Sequence, residues 1–144
     1  MATTKPLVFP MPDHYVTTDV TAALLAGTII PFGTPAVLDH ADGKVKPVTQ
    51  TLIRAGAAFL GIALATYDNT DGSFTTTGPR MLFARDCQWI CPTVDSGGAP
   101  VTLVGDIACL TSNSTCTTAT IGTDLVTFRC DAFYPDGSVL LFVF

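Results

Sequence analysis

The sequence predicts an all-β fold, and three observations carry that prediction. All twelve acidic residues are aspartates and threonine is abundant, so strong helix formers are scarce while β-branched residues are plentiful. Asp42-Gly43, Asp71-Gly72 and Asp136-Gly137 set three Asp-Gly turn signals between strand-like runs. The stretch AGTIIPFGTPAVLD at 26–39 places two Gly-Thr pairs six residues apart, each followed by a short apolar run. Glycines and prolines spaced this way are corners between the short strands of a single small β-sandwich or barrel-like domain. That domain is expected at residues 19–144, preceded by an extended N-terminal arm at 1–18.

The arm holds Pro6, Pro10 and Pro12 among isolated apolar residues, with no strand or helix period, and proline favours extended backbone. It is expected to be disordered in the free chain and ordered on a partner, with Leu7, Val8, Phe9 and Met11 as apolar anchors. TDVTAALLAG at 18–27, with Asp19 as a cap and Gly27 past its end, reads as one short helix. Strands follow at Thr28–Pro31 and Ala36–Asp39, then a turn at Asp42-Gly43 and a return at Lys44–Val48, where Lys44 and Lys46 share one face. AAFLGIALATY at 57–67 is apolar enough to be buried on both faces, and after the polar loop DNTDGS the stretch TTTGPRMLFAR is strand-like. In VTFRCDAF, Val126, Phe128, Cys130 and Ala132 alternate with Thr127, Arg129 and Asp131, the pattern of a half-buried strand. A YPDGS turn then leads into VLLFVF at 139–144. Left as an exposed edge, that apolar strand would aggregate, so it must be covered by protein.

Composition narrows the partners. The apolar fraction is 48% and the charged fraction only 13%, about half the usual share for a soluble domain. The longest run without a strongly polar side chain, AGAAFLGIALA at 55–65, is well short of the ~20 residues of a membrane helix. No membrane is expected as a partner, and the N-terminus MATTKPLVFPMPDHY lacks the pattern of a secretory signal, so the chain reads as made and kept in a cytoplasm. A net charge of −5 repels nucleic acid phosphates. Apolar excess without a membrane segment points instead to surface covered by another protein subunit. A homo-oligomer is the expected form, with Leu140, Phe142 and Phe144 as subunit-interface candidates.

Candidate chemistry reduces to structure at each point. Asp39 and His40 beside a serine would suit a hydrolase, but no nucleophile motif accompanies them, and both histidines, His14 and His40, read as solvated residues. Cys87 and Cys91 form C-x₃-C, but the intervening QWI is strand-like and would hold the two thiols roughly 13 Å apart. The five cysteines therefore read as reduced, metal-free core thiols. YDNTDGS at 67–73 has Asn69, Asp71 and Gly72 of a calcium loop, yet Tyr67 and Gly78 fill its first and twelfth ligand positions, so it reads as a hairpin loop. Asn113-Ser114-Thr115 matches a glycosylation triplet and reads as a polar strand tip. No catalytic residue, cofactor or metal is expected.

Four segments in order carry a resemblance: AGTIIPFGTPAVLDHADGKVKPV, FLGIALATYDNTDGSF, VGDIACLTSNSTCTT and IGTDLVTFRCDAFYPDGSVLLFVF. Together they resemble bacteriophage head decoration proteins, also called capsid cement proteins. That family shares an opening of the form AGT…G-T-P-V-x-L-D, a central G-I-A strand, a late G-D-x-x-x-L-T strand and a closing D-G hairpin. The similarity spans roughly residues 20–144; the five cysteines and the long N-terminal segment lie outside the pattern. It implies a non-enzymatic β domain, commonly trimeric, that binds the outside of a phage head. Its partners would be the major capsid protein and further copies of itself, and its place the virion exterior after assembly in a host cytoplasm. An arm running Pro6, Leu7, Val8, Phe9, Pro10 and Met11 suits the addition of a strand to the shell protein. Rival expectations are a phage tail or fibre domain, and a small β-type hydrolase or sugar-binding module.

Overall fold

Asp42-Gly43 reverses the chain in the way its residues dictate: the Gly43 N–H donates to the Asp39 carbonyl at 2.8 Å, and Asp42 Oδ1 accepts the Lys44 N–H at 3.0 Å. Turns of this kind separate the strands of the computed structural model, which describes residues 8–10, 16–94, 104–124 and 126–144. The chain runs through β1 (Val8–Pro10), β2 (Val16–Val20), β3 (Ala23–Leu24), β4 (Ile29–Ile30), β5 (Pro35–Asp39) and β6 (Lys44–Pro47) into the helix α1 (Gln50–Arg54). There follow β7 (Ala58–Ala63), β8 (Tyr67–Asp68), β9 (Met81–Arg85), β10 (Cys87–Cys91) and β11 (Thr93–Val94). The last are β12 (Ile107–Leu110), β13 (Thr115–Thr118), β14 (Phe128–Phe133) and β15 (Val139–Val143).

The fold is all-β, as its composition predicts. A seven-stranded sheet in the order β1-β10-β15-β14-β12-β13-β11 faces a six-stranded sheet in the order β2-β9-β7-β5-β6-β3. Between them lies a core to which one sheet contributes Val37, Ile62 and Ala84 and the other Trp89, Leu110, Phe128, Leu141 and Val143. The six-stranded sheet curls around a second core of Val20, Leu24, Val45, Leu60, Met81 and Phe83, which Ile30 and Tyr67 of the small β4-β8 sheet close. Trp89 ties the layers together: it is buried, and its indole N–H donates to the Gly33 carbonyl at 2.8 Å. No helix among the described residues is long and apolar enough to cross a membrane.

Several expectations are corrected. TDVTAALLAG is not a helix: Thr18, Asp19 and Val20 end β2, a strand rich in β-branched side chains, and Ala23 and Leu24 form β3. Asp19 is paired with Arg80 and caps nothing. The helix lies instead at α1, where the Thr49 hydroxyl accepts the Leu52 N–H at 3.1 Å and the apolar pair Leu52-Ile53 packs on the core. In TTTGPRMLFAR only the residues from Met81 onward are strand, because Thr75 and Gly78 close a turn through paired backbone bonds. Within β14 the alternation breaks at Asp131, where a bulge sets Ala132 opposite Leu140 instead of continuing the buried face of Phe128 and Cys130. The C-terminal strand β15 is no edge, since it pairs with β10 on one side and β14 on the other. Val139, Leu141 and Val143 are buried within the chain itself, so edge protection does not by itself call for a second subunit.

The segment read as an arm also contains two strands. Val8–Pro10 pairs antiparallel with Trp89–Cys87 at one end of the seven-stranded sheet, and residues 16–18 open β2. A proline is tolerated in β1 because an end strand has one set of backbone groups outside the ladder.

Candidate interaction surface

The residues nominated from the sequence converge on one region through the strand order β1-β10-β15-β14. Pairing sets Phe9 opposite Gln88, Gln88 opposite Phe142, Phe142 opposite Arg129, and Arg129 opposite Ile107. The strand β1 of the N-terminal segment and the C-terminal strand β15 therefore lie two places apart in one sheet. Of the arm candidates, Val8, Phe9 and Pro10 form β1, while Pro6, Leu7 and Met11 lie outside the described residues.

Strand alternation turns Val139, Leu141 and Val143 to the core and leaves Leu140 and Phe142 half-buried on the other side, with Phe144 60% exposed beyond the strand end. Phe142 and Phe144 pack edge to face at 5.1 Å, and the Arg129 guanidinium sits 5.1 Å from the Phe142 ring centre. The bulge at Asp131 aims its carboxylate across the face, where it accepts Arg129 Nε at 2.7 Å and Gln88 Nε2 at 3.3 Å. The hydrogen bond that Arg129 donates to Asp131, then the Asp131 charge, raises the Arg129 pKa above its ordinary value. An aromatic pair beside a fixed guanidinium is a composition common in protein interfaces. Sequence alternation alone could place Leu140 and Phe142 on one face; the Arg129–Asp131–Gln88 bridge depends on the bulge and could not be read from it.

Other sequence candidates are committed to structure. Asp39 Oδ2 accepts Lys46 Nζ at 2.7 Å and Oδ1 accepts the Ala41 N–H, so its carboxylate serves the turn. Lys46 also reaches Asp42 at 2.8 Å; these hydrogen bonds lower both aspartates and raise the lysine. In the former calcium-loop candidate, Asn69 is 3% exposed and holds the loop from within, its Nδ2 donating to the Leu24 carbonyl and its Oδ1 accepting the Phe74 N–H. Asp71 closes on the Ser73 N–H at 3.0 Å. Asn113 lies at the tip between β12 and β13. All five cysteines are buried, and Cys87 and Cys91 face the inter-sheet core from opposite ends of β10. Burial, then the Asp86 charge, pushes the Cys87 thiol up to about 11.

One buried carboxylate escaped sequence reasoning. Asp124 lies in the loop after β13, its side chain 1% exposed, accepting Arg54 Nε at 2.9 Å through Oδ1 and the Thr120 N–H at 2.6 Å through Oδ2. Burial raises its pKa, but the hydrogen bonds from Arg54, Thr120 and Cys109 outweigh that and hold it below the ordinary value. The Cys109 thiol is in turn pushed up to about 11 by burial and by the Asp124 charge. Arg54 and Asp124 lie far apart in the chain, and no local pattern joins them.

No protein-family model matches the chain, and no curated protein matches it.

Proposed function

We propose that this chain is a structural protein of a phage virion that binds the outer surface of the assembled head as a decoration or cement protein. The observation that carries the reading is the order of its turn-and-strand segments. The glycines of those segments, Gly27, Gly33, Gly43, Gly61, Gly72, Gly105, Gly122 and Gly137, all sit at positive φ, so the pattern records backbone requirements. The all-β sandwich and the partly exposed aromatic face around Phe142 and Phe144 support the same reading. The partners are the major capsid protein and further copies of the chain, most simply in a closed trimer, and the action is non-enzymatic.

The mechanism is thermodynamic linkage. A protein that binds the intact shell and not its separated subunits lowers the free energy of the shell, by an amount that grows with its free concentration over its Kd. The segment from Pro6 to Met11 serves as the capsid contact. Ordering a free segment on binding costs about 2–5 kcal/mol, and the existing pairing of β1 with β10 offsets part of that cost. The test is to mix the purified chain with undecorated heads and image the product. Ordered density on the outer shell at repeated positions is expected; location on a tail or fibre, or no binding, refutes the reading. Removing residues 2–10 should weaken binding at least about tenfold.

A further inference from the structure

We infer that the Thr120–Asp124 turn is a preformed docking knob, that Ile121 is its anchor, and that its receptor is an uncharged apolar pocket on another protein. The shell subunit is the receptor if the proposed function holds, so the receptor's identity rests on that reading. Ile121 is 88% exposed, the most of any large apolar side chain among the described residues. It stands on a turn closed from both sides. The N–H groups of Thr123 and Asp124 donate to the Thr120 carbonyl at 3.1 and 3.0 Å, and the Asp124 carboxylate accepts the Thr120 N–H in return.

The second observation is where the buried charge acts. Desolvating a carboxylate is costly unless hydrogen bonds compensate it. The bonds that compensate Asp124 fasten a surface turn to Arg54 of α1, and Cys109 with Gln50 Nε2 at 3.6 Å from its sulfur lies alongside. A turn held in this way loses little conformational freedom when Ile121 enters a pocket.

The surroundings favour a protein receptor. Between Asp106 and Asp124 the chain carries no charged side chain, and Ile121 is flanked by the exposed Thr118, Thr120, Gly122 and Thr123. Binding hot spots combine a central anchor with an uncharged surround that excludes water. Arg54, the cation at the base of this knob, is already paired with the Asp124 carboxylate, which leaves it little to offer a nucleic acid or an anionic lipid surface.

The test is co-sedimentation of the full chain and its variants with undecorated heads, alongside melting curves and light scattering of each variant. Ile121→Asp should weaken binding about ten- to hundredfold with melting unchanged, the scale of burying one isoleucine. Ile121→Val, which removes one methylene, should bind within about fivefold of the parent. Asp124→Asn, which keeps Ile121 but loosens the turn, should fall between them. Unchanged head binding by Ile121→Asp overturns the knob and leaves the decoration reading standing. Failure of the parent chain to bind heads overturns that reading and the receptor named here with it. A self-associated form that Ile121→Asp dissociates overturns the shell as receptor and assigns the knob to a second copy.

Discussion

Replacing Gly61 by alanine should be among the most damaging single-methyl changes available in this chain. Gly61 lies inside β7, which is held between β5 and β9, at φ +123°, where side chains with a Cβ are strained. A Cβ there would overlap the Ala84 carbonyl oxygen of β9, come within 2.9 Å of the Ala84 carbonyl carbon and 3.0 Å of Arg85 Cγ. Two of these neighbours are backbone atoms of a paired strand and cannot swing aside. Backbone strain costs about 1–3 kcal/mol and overpacking a further 1–3 or so. The sum, about 2–6 kcal/mol, is a large part of the ~5–15 kcal/mol that holds a domain together. Gly56→Ala is the control: Gly56 sits at φ +91° with nothing within 4 Å of its added Cβ, so it incurs the strain without the collision. Urea unfolding followed by the fluorescence of Trp89, the single tryptophan, reads both variants. The Gly61→Ala midpoint should fall well below that of Gly56→Ala at similar m. If the two variants unfold at the same midpoint, the close approach of β7 to β9 is wrong.

Asn69→Ala should destabilise by about 2–4 kcal/mol in the same assay, because it strands the Leu24 carbonyl and the Phe74 N–H; a loss under about 0.5 kcal/mol would contradict the buried role of the amide. The thiols of Cys87, Cys109 and Cys130, each pushed up to about 11 chiefly by burial, should resist a disulfide reagent near pH 8 until the chain unfolds, and rapid labelling of native protein would refute this. The folded pKa of Asp124 lies below its unfolded value, so its contribution is fully present above the unfolded value and is lost as pH falls through the folded one. The stability gap between the parent and Asp124→Asn should therefore be level near neutrality and shrink below about pH 4; a gap that persists unchanged into stronger acid would refute the ion pair. Truncating Phe142 to alanine should lower the Arg129 contribution but leave the melting curve nearly intact, because both lie on the outward face of β14 and β15; a drop above about 3 kcal/mol would mean that Phe142 is core.

Local chemistry determined much of this protein. Asp42-Gly43 and Asp136-Gly137 specify their hairpins because short-range geometry admits few alternatives, and the threonine-rich, glutamate-free composition specifies strands. The helix α1, capped by Thr49, was not among the expected elements, whereas the cap-and-glycine outline of TDVTAALLAG suggested a helix and proved to hold β2 and β3. What separates the two is tertiary: β9 and β6 offer ladder partners to the strands at Val16–Val20 and Ala23–Leu24, and pairing overrides weak helix propensity. The same holds for VLLFVF. Its hydrophobicity required burial, but only the placement of β15 between β10 and β14 decided that the chain itself supplies most of it. Asp124 and Arg54, and Gly61 and Ala84, are joined across long stretches of sequence by the packing of separate elements. A local pattern specifies the conformation of its own few residues; which distant residue becomes a neighbour is decided by the burial and hydrogen bonding of the whole chain at once.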